Sequence, residues 1–221
     1  MDCHSFFHRS GYREDDEQQR LDFEALFAWR EMHQKIQSQL FLELKTKLPH
    51  IRTVCEVGHG AGMFLRGVRD YGVEGYGFEV NPWCHDFAVK EVGLSVELGL
   101  FGPDHQRFYD LIASIMVFEH LERPRELFAT MRDKLNPDGA IYLSVPFVER
   151  HEWPFLWTAG TNPADAPPDV FYDNDVHITH FSIEGMKRMG LSLGARSAEH
   201  FVSRDVANHS PGAYPGVLFR F

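Results

Sequence analysis

The chain has 221 residues, 43% of them hydrophobic and 24% charged, which suits one folded domain with a full core and excludes a disordered chain. It carries 22 Lys and Arg against 32 Asp and Glu, a formal net charge of -10, and shows no Lys/Arg cluster, so a large nucleic acid is not an expected partner. Three scattered cysteines without a CxxC argue against a disulfide framework, and no apolar run approaches the roughly 20 residues of a membrane-spanning helix. Residues 1–20 are polar and lack the basic start and apolar middle of a signal peptide, so they read as a loose arm and the cytoplasm is the expected location.

Leu26, Trp29, Ile36, Leu40, Leu44 and Leu48 recur at helical steps and predict a helix over Leu21 to Leu48. From Arg52 strands and helices alternate. "TVCEVG" is a short apolar strand followed by glycines, and "MFLRGVRDYG" is a helix stopped at Gly72. "GYGFEV" alternates as a strand does, and "NPWCHDFAVKEVG" is a helix with Asn81 as N-cap and Pro82 in its first turn. "LSVELG" and "YDLIASIMV" are strands, "RPRELFATMRDKLNPDG" a helix with Leu127, Phe128, Met131 and Leu135 inward, and "AIYLSVP" a buried strand. Phe147 to His180 lacks periodicity and carries Phe147, Trp153, Phe155, Trp157, Phe171 and Tyr172, as a lid or binding loop does. A short helix capped by Ser182 follows, then strand candidates near "ARSAEHFVS" and "GVLFRF". Alternation with near-continuous apolar strands predicts an α/β, doubly wound, mostly parallel sheet with an N-terminal helical extension. Residues 1–49 then form an arm and helix, and 50–221 the main domain with a lid-like insertion at 147–180. Ligands of such sheets bind at the carboxyl ends of the strands, which places the glycines and the ends of "GYGFEV" and "YDLIAS" around one crevice.

The glycines Gly58, Gly60 and Gly62 read G-x-G-x-G, with Met63 where a dinucleotide fingerprint needs its third glycine. That spacing argues against a pyrophosphate cradle and so against a nicotinamide oxidoreductase. Glu56, just before the glycines, repels phosphate but accepts bonds from an ammonium group. Glu79, at the end of the next strand, can take both hydroxyls of a ribose. An ammonium site and a ribose clamp without a phosphate cradle describe S-adenosylmethionine (SAM).

"CEVGHGAG", "GYGFEVNP", "YDLIASIMVFEHLERPRELFATMRDKLNPDGAIYLSVP" and "HITHFSIEGM", in that order over roughly residues 50 to 190, resemble the motifs of class I SAM-dependent methyltransferases, nearest to the ubiquinone-type and small-molecule subgroup. The resemblance implies a Rossmann-like seven-stranded sheet with an antiparallel last strand. It implies SAM as cofactor, S-adenosylhomocysteine (SAH) as product, and a small-molecule acceptor methylated at O, N or C. The aromatic lid suggests an aromatic or apolar acceptor. A noncatalytic SAM-binding partner subunit of the same fold is the alternative.

By position, Glu56, Gly58, Gly60 and Gly62 line the methionine end, Glu79 holds the ribose, Val80 and Asn81 flank the adenine, and Ser114, Ile115 and Met116 pass under the methionine group. Where relatives place an acid against the adenine amine, this chain has "ELGLFGPDH", leaving Leu100 and Phe101 or Asp104 for that place. Some relatives hold a divalent metal with Glu-x-x-Glu-His and a later histidine. Here Met116 replaces the first carboxylate, leaving Glu119, His120 and His177, and because a thioether suits Mg²⁺ poorly no metal is expected. His120, His177 and His180 are the candidate general bases. His59, within the glycine loop, is expected to turn away from the cofactor.

Overall fold

The apolar segment that leads into the glycines forms β1 (Thr53–Val57), at the centre of the sheet. A computed structural model of the chain describes residues 16–28, 30–147, 177–203 and 214–221. β2 (Glu74–Glu79), β3 (Val96–Leu98), β4 (Tyr109–Ile115), β5 (Leu135–Ser144), β6 (Ser197–Phe201) and β7 (Gly216–Arg220) complete seven strands in the order β3-β2-β1-β4-β5-β7-β6. β1 pairs in parallel with β2 and β4, and β4 with β5, whereas β7 runs antiparallel to both β5 and β6. The expected mostly parallel sheet with a reversed last strand is therefore present.

Both faces of the sheet are covered, which is why its central strands are apolar on both sides. On one face, Val54, Leu111, Ala140 and Tyr142 pack with Ile36, Leu40, Phe41 and Leu44 of α2 (Arg30–Lys47) and Phe64, Leu65 and Val68 of α3 (Met63–Asp70). On the other, Cys55, Ile112, Ile141, Leu143 and Phe219 pack with Phe128 and Met131 of α5 (Pro124–Arg132) and Met186 and Met189 of α6 (Ile183–Ser192). α4 (Pro82–Lys90) follows β2 and is capped as its sequence predicts: the Asn81 side chain accepts from the backbone N–H of Trp83 and Cys84. Ser182 caps α6 in the same way, accepting from Gly185 N at 3.0 Å.

Two element boundaries differ from the sequence reading. Helix begins at Asp16, inside the expected arm, so the N-terminal region holds α1 (Asp16–Ala28) before α2. The helix expected to continue past Leu135 ends at Arg132. Leu135 instead pairs with Tyr109, a bulge separates that pair from Leu111, and Asp138 turns the chain at φ 61. Pro137 and Gly139 disfavour further helix, and the chain pairs with β4 instead. Of the long aperiodic segment, Phe147 is buried and bridges Phe181, and 177–180 are described; Trp153, Phe155, Trp157, Phe171 and Tyr172 lie outside the described residues.

Candidate active site

Gly58, Gly60 and Gly62 have φ of 75, 52 and 79, the left-handed region that side-chain-bearing residues avoid. Space adds a second reason for two of them. A Cβ on Gly58 would stand 2.4 Å from Val117, and one on Gly62 would stand 2.5 Å from Leu94. The loop therefore packs against the turns after β4 and α4. Gly58 N and His59 N both donate to Phe78 O, at 2.8 and 3.2 Å.

Glu79 joins the loop to β2 and α4. Its Oε2 accepts from Gly60 N at 2.7 Å, and its Oε1 accepts from Val80 N at 2.8 Å and Asn81 N at 2.9 Å. A carboxylate offers about four lone-pair positions, so roughly one remains for a ligand. Glu79 is a structural clasp of the loop as well as a candidate ribose contact. Beyond it, Gly99 N donates to Glu79 O at 2.8 Å, Phe101 is buried against Phe78, and Asp104 is exposed.

Glu56 is 2% exposed, and its Oε2 has no hydrogen-bond partner among the described residues. Burial, followed by the nearby Glu79 charge, pushes its carboxyl well above the usual range. A ligand cation placed against that oxygen would reverse the penalty. His59 turns inward, away from solvent. It is 4% exposed, its Nδ1 bonds Gly60 O at 2.7 Å, and burial lowers its pKa. It fits because Gly77 has no side chain: a Cβ there would stand 2.9 Å from His59 Cδ2 and 2.6 Å from Leu65 Cδ1. The alternating glycines of "EGYG" are the sequence signal for this packing, and the sequence reading passed over it.

At the end of β4, Ser114 Oγ donates to Val57 O at 3.0 Å, so its hydroxyl joins two strands. Ile115 is buried, and Met116 adopts φ 58 with its N–H donating to Ser144 O at 2.8 Å. A methionine in the left-handed region is backbone strain of the kind that concentrates at functional sites.

The short 3-10 turn Phe118–His120 follows. Glu119 is 1% exposed, neither carboxylate oxygen has a hydrogen-bond partner among the described residues, and burial pushes its pKa up to about 8. His120 Nε2 lies 3.9 Å from Glu119 Oε1, and the His120 and His177 rings meet edge-on with centroids 4.8 Å apart. Thr179 fastens the His177 segment here, donating from N to Glu119 O at 3.0 Å and from Oγ1 to Leu121 O at 2.6 Å. One donor atom each from Glu119, His120 and His177 lies within 4.8 Å of the others. His180 is exposed and stands outside this group. One carboxylate and two imidazoles suit a borderline divalent ion such as Zn²⁺ or Co²⁺ better than Mg²⁺, which prefers oxygen. The same trio can equally accept and hold a proton.

The methyltransferase domain family matches residues 28–196. No curated protein matches the chain. Among solved structures, the plantazolicin methyltransferase BpumL in complex with SAH superposes with a TM-score of 0.65 at 10% identity, over 96% of this chain and 92% of that one. Magnesium protoporphyrin IX methyltransferase from Synechocystis PCC 6803 with bound SAM gives a TM-score of 0.56 at 13% identity, over 86% of this chain and 78% of that one. A protein from Nostoc punctiforme PCC 73102 gives 0.63 at 13% identity over 83% of this chain, which spans 55% of that longer chain. At such identities these structures share the fold.

Proposed function

Since the chain belongs to the class I SAM-dependent methyltransferases, we propose that it methylates a small-molecule acceptor at O, N or C. The observation that carries this reading is the buried Glu56 carboxylate, with an oxygen that has no partner among the described residues, beside three left-handed glycines. It suits the ammonium group of SAM and repels a phosphate. The acidic surface charge disfavours a nucleic-acid acceptor. The neighbours named for plantazolicin and magnesium protoporphyrin IX support a small-molecule class. No helix among the described residues is long and apolar enough to cross a membrane, and we place the protein in the cytoplasm.

In this reading 1–49 is an arm and helix and residues 50–221 form the catalytic unit, against which α1 and α2 pack. SAM supplies an electrophilic methyl on a sulfonium. Glu56 takes the ammonium, the free lone pair of Glu79 takes a ribose hydroxyl, Val80 and Asn81 border the adenine, and Ser114, Ile115 and Met116 floor the methionine end. The protein's main work is alignment, since in-line displacement needs the acceptor atom opposite the departing sulfur. Where that atom must lose a proton, His120 or His177 receives it, and Glu119 keeps the pair in place. Calorimetric titration of the folded protein with SAM and SAH tests the reading. Saturable binding is expected; no binding to either, with or without a panel of small acceptors, overturns it.

The convergence of Glu119, His120 and His177 donors favours a second reading of the reacting end, in which the trio holds a divalent ion that orients the acceptor. Zn²⁺ or Co²⁺ then raises the melting temperature of the wild type and not of Glu119→Gln. Equal response of both proteins discards that reading.

A further inference from the structure

α2 also carries half-buried polar side chains: His33, Gln34, Gln37 and Ser38. At Ser38 it crosses α3 closely: a Cβ on Gly67 would stand 2.8 Å from Ser38 Cα. One to two turns toward the start of α2, His33 Nδ1 is hydrogen-bonded to the Tyr214 hydroxyl, and the two rings stack with centroids 6.1 Å apart. Tyr214 is itself anchored to the carboxyl end of β5. The Tyr142 hydroxyl donates to Tyr214 O, and Ser144 Oγ donates to Pro215 O at 2.8 Å. α2 therefore runs from α3 to the end of β5 across the face that β1 and β4 present between them.

Glu56 belongs to that span. Glu56, Ala113 and Tyr142 stand opposite one another across β1, β4 and β5, so Glu56 faces the same side of the sheet as the Tyr142 that holds Tyr214; burial, and to a lesser degree the Glu56 charge, raises the Tyr214 pKa. Burial lowers the pKa of His33, which keeps the imidazole neutral and able to accept the phenol proton at Nδ1. In the tautomer that leaves Nδ1 bare the phenol donates to it, and the phenolic oxygen keeps a lone pair on the face of the sheet where Glu56 Oε2 has no partner among the described residues. Two acceptors in one buried place are poorly matched to each other and well matched to a cation. Gln34 Oε1, also on α2, is a further buried acceptor with no partner among the described residues.

We propose that Tyr214, its hydroxyl fixed by His33, is a positioning residue for the amino-acid end of the cofactor, and that cofactor affinity therefore depends on the docking of α2. The inference rests on the reading that the crevice takes SAM. The ligand gains an acceptor on the side away from the glycine loop only while His33 holds the phenol. Binding and α2 docking are then linked in both directions.

The test compares SAH calorimetry, ligand-free melting and amide exchange across α2 in four proteins: wild type, Tyr214→Phe, His33→Leu and His33→Asn. Tyr214→Phe keeps the ring and removes one hydrogen bond to a charged group, so SAH binding weakens about tenfold. SAH slows exchange in α2 of the wild type and not of this variant. His33→Leu repeats both losses. His33→Asn, whose side-chain oxygen can accept in place of Nδ1, restores affinity and protection. Wild-type SAH affinity in Tyr214→Phe overturns the proposal, as does a His33→Asn variant no better than His33→Leu. A wild type that binds no SAH overturns the SAM reading itself.

Discussion

The two ends of the sheet treat the same chemical group in opposite ways. At the amino ends of β1 and β4, Asp110 Oδ2 accepts from Arg52 N at 2.7 Å and Thr53 N at 3.0 Å, and Oδ1 accepts from Asn136 Nδ2 at 2.8 Å. Thr53 Oγ1 returns the contact by accepting from Asp110 N at 3.1 Å. Burial alone would raise the Asp110 pKa, but the bonds from Asn136, Arg52 and Thr53 outweigh it and hold the carboxyl below its ordinary value. At the carboxyl ends, Glu56 and Glu119 are more deeply buried and raised, with oxygens that have no partner among the described residues. The fold completes the polar chemistry at one end and leaves it open at the other. An open buried carboxylate opposes stability unless something else uses it.

Glu79 gives the largest expected effect, because it lies at the open end yet has three internal partners. Glu79→Ala removes a charged acceptor from the ligand and from the loop together. SAM binding should weaken by roughly 1.5–3 kcal/mol in calorimetry, with a lowered melting temperature. Unchanged affinity would refute the ribose role while leaving the clasp. Asp110→Ala sharpens the contrast from the closed end. Two strand-entry N–H groups and Asn136 lose their acceptor, and stability falls by about 1–2 kcal/mol in urea unfolding. SAH affinity should hold near the wild-type value, since Asp110 lies at the opposite end of β1 from the glycine loop. A matched loss of affinity would mean the two ends are not separable.

Much of this division was legible in the sequence. Apolar strands, helix caps at Asn81 and Ser182, and the G-x-G-x-G spacing all depend on neighbours a few residues away, and local pattern carries that information. The acidic positions Glu56 and Glu79 were also visible, as was the grouping of Glu119 and His120 with His177. What local pattern could not carry was partnership across the chain. The sequence does not show that Glu79 also accepts from Gly60 N, or that the Ser114 hydroxyl also ties β4 to Val57 O. Likewise His33 is one polar residue on a helix, and its tie to Tyr214 exists only because β7 returns to β5. The helix boundary at Arg132 differs in kind: Leu135 pairs with Tyr109, but the helix-breaking Pro137 and Gly139 were already a local stop signal.

The smallest expected effect is a pH slope that separates the two ends without ligand. Glu119, pushed up to about 8 in the folded chain, has an ordinary value of 4.5 when unfolded. Between those values the folded state binds the extra proton, so stability is highest below the lower value and declines as pH rises through the upper one. Glu56 is raised by the same burial and acts in the same direction. His33 and His59, lowered from 6.5, oppose this mainly below neutrality, where the unfolded chain takes up their protons. Asp110, already lowered, matters only in acid. Between pH 7 and 8 the open-end carboxyls should therefore dominate. Metal-free protein loses roughly 1 kcal/mol of unfolding free energy over that interval. Urea melts at the two pH values measure it, with Glu119→Gln and Glu56→Gln each flattening the slope. Stability that stays level or rises toward pH 8 in the wild type would show that the open-end carboxylates are already partnered in solution.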